Sequence, residues 1–430
     1  MTVPSSTPTT PTGHPHFALK NNVLHAENVA LNSLADQLGT PLYVYSRAAL
    51  QSAWATYADA IDNRAVLICY GMKANSNLAV LKEFARLGAG FDIVSGGELK
   101  RVLAVGADPA KIVFSGVGKQ TWEMRAALQA GVKCFNVESE AELYTLSDVT
   151  VSMGQRAPVS LRVNPDVDAH THPYISTGLK ENKFGIAIKK AFDAYQAAAE
   201  LPGLHIVGLD CHIGSQLIDI SPYLDALDKL MSLIQKLNAA GITIEHLDLG
   251  GGLGICYTDE VPPSPKALLN QVFERLQANG LGHLQIVLEP GRSLVGNAGV
   301  LLTTVHYLKH AETRNFAIVD AAMNDLLRPA LYQAYHGLQA VRPRSGPQQE
   351  YDIVGPVCES ADWLAKQRTL TIEQGDVLAL ESAGAYSMTM ASNYNTRARA
   401  AEVMVDGDNY YVVRQRETLD DLLKGESTLP

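Results

Sequence analysis

A lysine and two glycine-containing segments occupy positions suited to covalent and phosphate chemistry. Lys73 ends the apolar run VLICYGMK, and the glycines of 250–252 and of the pair Gly291-Arg292 follow two later apolar runs. Desolvation at the end of a buried strand lowers a lysine's pKa and leaves an amine able to form a Schiff base. Glycines lack the Cβ that keeps a phosphate away from backbone N–H groups. Together these residues predict a phosphorylated aldehyde cofactor, with a solvated lysine and a flexible glycine turn as the alternatives.

Two side chains fit the ring of such a cofactor. Glu289 is expected near the ring base, where a carboxylate keeps a pyridine nitrogen protonated. The protonated ring is a strong electron sink and favours decarboxylation. His212 can stack on the ring face. The alternatives are a Glu289 that caps a helix or pairs with Arg292, and a His212 that is an ordinary interior histidine.

Other candidates concern the substrate and the thiols. Arg328 and Tyr332 lie four residues apart and share a face if locally helical, where the guanidinium can hold a carboxylate bidentately; a solvated surface turn is the alternative. Cys358 lies between a proline turn and two acids, so its thiol is expected to be presented. The other four cysteines lie in apolar runs and are expected to be buried and inert. An odd cysteine count without C-x-x-C predicts free thiols and no structural zinc site.

The pair His170 and His172 is a possible metal site. An H-x-H pair can ligate zinc, but no third ligand with recognisable spacing accompanies it. The surrounding polar stretch is typical of a mobile lid. We therefore predict no bound metal.

The elements that must position these residues alternate along the chain between residues 42 and 292. Continuous apolar runs indicate parallel strands buried on both faces, and helical patterns such as 221–241 and 264–280 separate them. This predicts an α/β fold with a (β/α)8 TIM barrel, whose chemistry lies at the C-terminal ends of the strands. An open doubly wound sheet is the weaker alternative, because no G-x-G-x-x-G opens the first helix. The eight runs are 65–73, 90–95, 112–116, 134–139, 158–165, 206–214, 246–252 and 285–292.

The rest of the chain has a different sequence pattern from the barrel segment. Residues 1–13 are rich in Ser, Thr and Pro and are predicted to be a disordered tail. Period-two runs after residue 296 predict an antiparallel β domain, sandwich-like or barrel-like, over 296–430. Residues 14–41 are predicted to join that domain, and 42–295 to form the barrel.

Composition excludes several classes of partner. The 430 residues carry 35 basic and 45 acidic side chains, a net charge of −10, with no basic block to neutralise phosphates. Nucleic acid is therefore not an expected partner. No apolar stretch is long enough to span a membrane, and no signal-peptide pattern begins the sequence, so we expect a cytoplasmic protein that binds no membrane.

Eight segments in consistent order, over about residues 40 to 396, resemble the diaminopimelate decarboxylases, which are fold-type III enzymes dependent on pyridoxal 5′-phosphate. The segments are YGMKAN, FDIVSGGE, HIGSQ, LDLGGGLG, EPGR, MNDLLRPALY, GPVCESAD and GAYSMTMASNYN. The visible departure is Gly71-Met72 before the lysine, where related enzymes often have Ala and Val. The resemblance implies decarboxylation of meso-2,6-diaminopimelate to L-lysine, the last step of lysine biosynthesis, by a homodimer with active sites at the subunit interface.

The resemblance also implies roles for single residues. Lys73 carries the cofactor, His212 stacks on its ring and Glu289 meets the pyridine nitrogen. Cys358, from the other subunit, reprotonates Cα. The cofactor is also held at Ser215, Gly252, Pro290, Gly291, Arg292 and Tyr386, and the substrate by Arg292, Arg328, Tyr332, Glu359 and Tyr386. Of these, the arginines and Tyr332 hold the distal carboxylate, and Glu359 the distal ammonium.

Three other functions stay open at this point. One is a decarboxylase of ornithine, lysine or carboxynorspermidine on the same fold, against which only Arg328 and Glu359 argue. Another is a catalytically silent homologue acting as a binding partner, which the retention of both Lys73 and Cys358 disfavours. The last is a zinc-dependent barrel hydrolase.

Overall fold

A computed structural model of the chain describes residues 15–168 and 183–430. The tail predicted for residues 1–13, and both His170 and His172, lie outside the described residues. The chain forms two compact units. The barrel unit comprises Ala53–Ile255 and Val261–Leu294, and the sheet unit comprises the residues up to Ser52, Cys256–Glu260 and Val295–Pro430.

The described strands and helices follow in chain order. The strands are β1 (Phe17–Lys20), β2 (Val23–Ala26), β3 (Val29–Ala30), β4 (Leu42–Ser46), β5 (Val66–Gly71), β6 (Gly90–Ile93), β7 (Ile112–Phe114), β8 (Cys134–Val137), β9 (Ala157–Asn164), β10 (Ile186–Ala187), β11 (Leu204–Asp210), β12 (His246–Asp248), β13 (Gln285–Leu288), β14 (Gly299–Lys309), β15 (Phe316–Val319), β16 (Leu338–Ala340), β17 (Gln349–Val354), β18 (Trp363–Leu370), β19 (Val377–Leu380), β20 (Ala401–Asp406) and β21 (Asn409–Arg414). The helices are α1 (Leu31–Leu38), α2 (Arg47–Ile61), α3 (Leu78–Arg86), α4 (Gly96–Ala104), α5 (Thr121–Ala130), α6 (Glu140–Met153), α7 (Ile188–Glu200), α8 (Ser221–Ala239), α9 (Pro265–Ala278), α10 (Arg292–Val295) and α11 (Arg328–Tyr332).

The barrel unit is a closed parallel barrel. Its strand order is β5-β6-β7-β8-β9-β11-β12-β13, and β13 pairs with β5 to close the ring. Each of the eight predicted runs contains or overlaps one of these strands, which confirms the barrel. One of its apolar core clusters includes Cys69, Cys134 and Val287. All parallel strands end at the same rim, so the residues after each strand face one another there.

The sheet unit contains a mixed sheet. Its path runs β18-β17-β15-β14-β4-β20-β21, with β19 and β16 attached to β14. Most neighbours are antiparallel, as predicted, but β15–β17 and β4–β20 are parallel. Those parallel pairs join segments far apart in sequence, which alternation of residue types cannot reveal. A separate three-stranded sheet, β1-β2-β3, precedes them.

The start of the barrel segment needs correction. We assigned residues from 42 onward to the barrel, yet β4 pairs with β14 and β20 of the sheet unit. Leu42 and Val44 lie in one apolar core with Phe17, Leu24 and Val403. The fully buried run LYVYS looks the same whichever sheet it joins, so its pattern could not place it.

Candidate active site

Lys73 lies at the barrel rim in an ion pair. It follows β5 in a 3-10 turn, Met72–Ala74. Pairing of Gly71 with Asp92 brings the ends of β5 and β6 side by side, and Lys73 Nζ lies 2.7 Å from Asp92 Oδ2. The Lys73 side chain is 40% exposed and that of Asp92 is fully buried. The amine is thus half-buried and held by a carboxylate, whereas the sequence suggested an amine governed by desolvation alone.

His212 is held as a neutral ring. It follows β11, and its Nδ1 accepts a hydrogen bond of 3.2 Å from the backbone N–H of Gly251. Burial, followed by the positive charges of Arg162 and Lys73, holds the pKa of His212 well below its usual range. Because Nδ1 accepts from Gly251, the ring proton belongs on Nε2. A neutral, oriented imidazole is suited to packing against a flat ligand.

The glycine run after β12 is required by close packing. A Cβ at Gly251 would lie 2.1 Å from the carbonyl oxygen of Glu289, and one at Gly252 would lie 2.6 Å from the carbonyl oxygen of Gly214. Gly250 and Gly252 also have positive φ angles of 66° and 124°. Close packing therefore excludes side chains from this turn. The absence of side chains would also let a phosphate approach the backbone N–H groups.

The end of β13 supplies the groups expected to hold an anion. Arg292 is buried and donates to Ser215 Oγ through Nε at 3.2 Å and Nη2 at 3.1 Å. Pro290 accepts from the backbone N–H of Gly71 at 3.0 Å, which ties this loop to the strand that carries Lys73. Gly291 lies between Pro290 and Arg292. The structure thus brings Ser215 and Arg292 into contact, as the prediction of a shared anion site requires.

Glu289 belongs to a buried group of carboxylates that the sequence reasoning missed. One oxygen each of Asp210, Asp248 and Glu289 lies within 4.8 Å of the others. Burial, then repulsion from Asp248, Asp92 and Asp210, raises the pKa of Glu289 well above its usual range. Burial raises the pKa of Asp248 to about 6. These surroundings therefore disfavour the ionised form of Glu289, the form that we expected beside the ring nitrogen.

The carboxylate group fits a cationic ring nitrogen. Asp92 Oδ1, Asp210 Oδ1 and Asp248 Oδ2 are buried without a hydrogen-bond partner. Binding of a positive group beside buried carboxylates lowers their electrostatic energy. The aspartates that end β11 and β12 in DCHIGS and LDLGGG were the available sequence signal. Such oxygens can also ligate a metal ion, so the prediction of no metal stays a prediction.

The sheet unit holds the predicted substrate residues other than Arg292, which belongs to the barrel unit. Arg328 and Tyr332 are the first and last residues of α11, so the locally helical arrangement is present. Arg328 is 6% exposed, and Nη1 donates to His336 Nε2 at 2.8 Å. The Tyr257 ring lies beneath the guanidinium, 4.6 Å from centroid to Cζ. The sequence reasoning missed His336 and Tyr257.

Cys358 and Glu359 lie on an exposed loop after β17. The backbone N–H of Cys358 donates to Asn395 Oδ1 at 2.8 Å, and its side chain is exposed, as expected. Tyr394 donates to Glu359 Oε2 at 3.5 Å. The expectation for the other cysteines holds for three of them, but Cys256 is only partly buried. It opens the short Cys256–Glu260 segment of the sheet unit, where its thiol contacts the carbonyl oxygen of Thr258.

Tyr386 has an unusual backbone. It follows β19 in the turn beginning at Glu381, with a φ of 53°. A bulky residue with positive φ is costly and is found where the surroundings impose it. A Cβ at Gly384, two residues earlier, would lie 1.9 Å from the carbonyl oxygen of Val295. Close backbone packing therefore fixes the turn that carries Tyr386.

Comparison with known proteins assigns this barrel, with its rim lysine and buried carboxylates, to a class of enzyme that depends on pyridoxal phosphate. A profile of "Pyridoxal-dependent decarboxylase, pyridoxal binding domain" matches residues 11–296. The diaminopimelate decarboxylase of Pseudomonas aeruginosa is 59% identical over 414 residues, 96% of this chain and 99% of the relative. The chain belongs to the pyridoxal-dependent decarboxylases and, within them, to the diaminopimelate decarboxylase family.

Solved structures agree with this family. The crystal structure of diaminopimelate decarboxylase from Helicobacter pylori complexed with L-lysine is 42% identical, with a TM-score of 0.88 over 92% of this chain and 98% of the other. The enzyme from M. jannaschii in co-complex with L-lysine is 37% identical, with a TM-score of 0.92 over 97% and 98%. These matches cover the sheet unit as well as the barrel unit.

In the two described ranges, no helix combines the length and apolar character that crossing a bilayer requires.

Proposed function

We propose that this protein is a carboxy-lyase that uses pyridoxal 5′-phosphate to convert meso-2,6-diaminopimelate to L-lysine and CO2, the last step of lysine biosynthesis. The main support is the rim of the barrel, which presents Lys73, neutral His212 and buried Glu289. In addition, relatives that match nearly the full length of the chain are named diaminopimelate decarboxylases. The acidic chain with its five free cysteines is consistent with the cytoplasm as its proposed location.

The barrel residues would hold the cofactor. Lys73 would bind it covalently through Nζ, and His212 would pack against its ring. Glu289 would meet the ring nitrogen. Ser215, Gly252, Gly291 and Arg292 would help to hold the phosphate, Pro290 would also contact the cofactor, and Tyr386 would reach the phosphate. When bound, pyridoxal phosphate supplies an electron sink for the carbanion left by departing CO2.

The chain's own groups direct the reaction. Asp92 holds the Lys73 amine at the rim, so the amine is positioned before any ligand arrives. His212, kept neutral, adds no positive charge beside Lys73. The thiol of Cys358 would return a proton to the substrate carbon that lost its carboxylate.

Selection of the substrate would rest on the groups that grip its far end. The guanidinium groups of Arg328 and Arg292, with Tyr332, would hold the carboxylate that survives the reaction, and Glu359 would hold the ammonium. Ornithine, lysine and arginine have no carboxylate at that end. An arginine facing their cationic ends is unfavourable, which disfavours these substrates.

Carbon dioxide release across candidate substrates tests the proposal. The cofactor-loaded enzyme should release CO2 from meso-diaminopimelate at least about tenfold faster than from ornithine, lysine or carboxynorspermidine, because only the first retains a distal carboxylate. Equal rates would favour the broader decarboxylase. No release from any of these substrates would favour the catalytically silent homologue.

We further propose a homodimer in which Cys358 of one subunit serves the barrel of the other. The resemblance to the family supports this arrangement, and so does the exposure of Cys358 in the single chain. Mixed dimers of Lys73→Ala and Cys358→Ala subunits should regain about one quarter of wild-type activity, because half of the random dimers contain one intact site. No recovery in verified mixed dimers would contradict shared sites.

A further inference from the structure

The contacts of His336 fix its protonation state. Arg328 Nη1 lies 2.8 Å from His336 Nε2, and the carbonyl oxygen of Glu381 lies 2.8 Å from His336 Nδ1. A guanidinium has only donors, so Nε2 must be the acceptor. A carbonyl has only lone pairs, so Nδ1 must carry the hydrogen. His336 is therefore a neutral imidazole of one tautomer.

The surroundings of His336 hold that ring rigidly. The side chain is fully buried and meets the Tyr257 ring edge-on, with centroids 5.7 Å apart and an interplanar angle of 80°. Arg368 Nη2 donates to the His336 carbonyl oxygen at 2.9 Å. Gln339 donates to the Glu381 carboxylate at 2.6 Å, next to the carbonyl that His336 uses. The charged and titratable residues in these contacts are Arg328, Tyr257, Glu381 and Arg368.

A neutral acceptor differs in effect from a carboxylate at the same place. A carboxylate beside Arg328 would add negative charge there and repel a carboxylate ligand. His336 orients the guanidinium through one N–H and brings no charge of its own. With the Tyr257 face beneath it, the plane and the rotation of the Arg328 guanidinium are both restrained.

We infer that His336 is a positioning residue for carboxylate recognition: it fixes the Arg328 guanidinium in the orientation that binds the carboxylate retained in L-lysine. This inference rests on the proposed function, because that function assigns the distal carboxylate to Arg328. It adds that specificity depends on a residue that acts through its hydrogen bond with Arg328.

Calorimetric binding to the cofactor-loaded enzyme tests the inference without requiring turnover. L-lysine carries the retained carboxylate, whereas 1,5-diaminopentane is the same molecule without it. His336→Phe keeps a ring but removes the acceptor. We expect it to weaken L-lysine binding about tenfold or more, with 1,5-diaminopentane affinity changed less than about twofold. The matched control is His310→Phe, an exposed histidine of the same unit, which should change neither affinity.

A double-variant cycle separates positioning from a general structural effect. In the Arg328→Gln background, adding His336→Phe should not weaken L-lysine binding further, because the group that His336 positions is already gone. Equal weakening of both ligands, or an undiminished effect in that background, would overturn the inference. So would wild-type affinity for L-lysine in His336→Phe.

A second pair of variants carries the test if His336→Phe does not fold. The amide oxygen of His336→Gln reaches the position of Nε2, and that of His336→Asn does not. L-lysine should bind more tightly to the Gln variant than to the Asn variant, and equal affinities would overturn the inference. A wild-type enzyme that binds L-lysine in these assays but releases no CO2 from meso-diaminopimelate would contradict the proposed function and leave the positioning role standing.

Discussion

The barrel rim and the sheet-unit loops prepare their side chains in different ways. At the rim, parallel strand ends force charged groups together in a buried place, and the result is shifted pKa values and unpartnered carboxylate oxygens. In the sheet unit, Arg328 is buried and held by neutral His336, whereas Cys358 and Glu359 are exposed. The rim is thus arranged by the fold for a cofactor. The sheet unit thus contains a buried, hydrogen-bonded arginine and an exposed loop that carries Cys358 and Glu359.

Removal of the rim amine should have the largest effect. Lys73→Ala is expected to lower activity about a thousandfold or more and to abolish the visible absorbance of the bound cofactor, since the amine proposed to bind the cofactor is removed. Steady-state kinetics and absorbance spectra of the purified variant measure both. Lys82→Ala removes an exposed lysine that donates to the Val105 carbonyl oxygen, and this matched control should keep activity and colour. A coloured, active Lys73→Ala variant would show that the cofactor does not bind through the rim lysine.

Loss of the exposed thiol should come next. Cys358→Ala is expected to lower kcat about 100-fold or more, with bound cofactor unchanged, because a proton donor contributes on that scale. The matched control is Cys256→Ala, a partly buried thiol of the same unit without a proposed role. Similar kcat values for the two variants would show that exposure alone does not identify the donor.

Loss of the recognition guanidinium should act on binding. Arg328→Gln is expected to raise the KM for meso-diaminopimelate about 10- to 100-fold with little change in kcat, the scale of one lost charged hydrogen-bonding group. Arg344→Gln removes an arginine of the same unit that pairs with Glu373 and Asp376, and it should leave KM unchanged. A fall in kcat at constant KM would instead place Arg328 at the reacting centre.

The buried carboxylates predict a smaller, pH-dependent effect on stability. The pKa of Asp248 is raised to about 6, so between its unfolded value and 6 the folded protein binds more protons than the unfolded chain. The free energy of unfolding therefore falls as pH rises through this window and stays lower above it. Asp248→Asn has no ionisable side chain at this position, so the variant lacks this fall in the free energy of unfolding with rising pH. In the cofactor-free protein, its melting temperature relative to wild type should be about 4 °C higher at pH 8 than at pH 4.5. An equal difference at both pH values would contradict the raised pKa.

Sequence predicted the barrel well because its signal is local. Each barrel strand is a continuous apolar run, and the run alone reveals burial on both faces. The same reasoning failed for β4, since LYVYS is equally apolar in either sheet, and for the parallel β15–β17 and β4–β20 pairs, which depend on distant segments.

Candidate site residues could be predicted where the residue type and its position after a strand together indicate a chemical role. Lys73, His212 and Arg292 stand out by position after a strand. Asp92 as the partner of Lys73 depends on the register between β5 and β6, and His336 reaches Arg328 only because the chain turns back after α11. Such contacts are set by tertiary structure, so no local pattern contains them.

Chemical trapping of the cofactor tests the central claim most directly. Borohydride reduction of the holoenzyme, followed by proteolysis and mass spectrometry, should place a single pyridoxyl group on the peptide containing Lys73, at that residue. A pyridoxyl group on another lysine, or on none, would contradict the account.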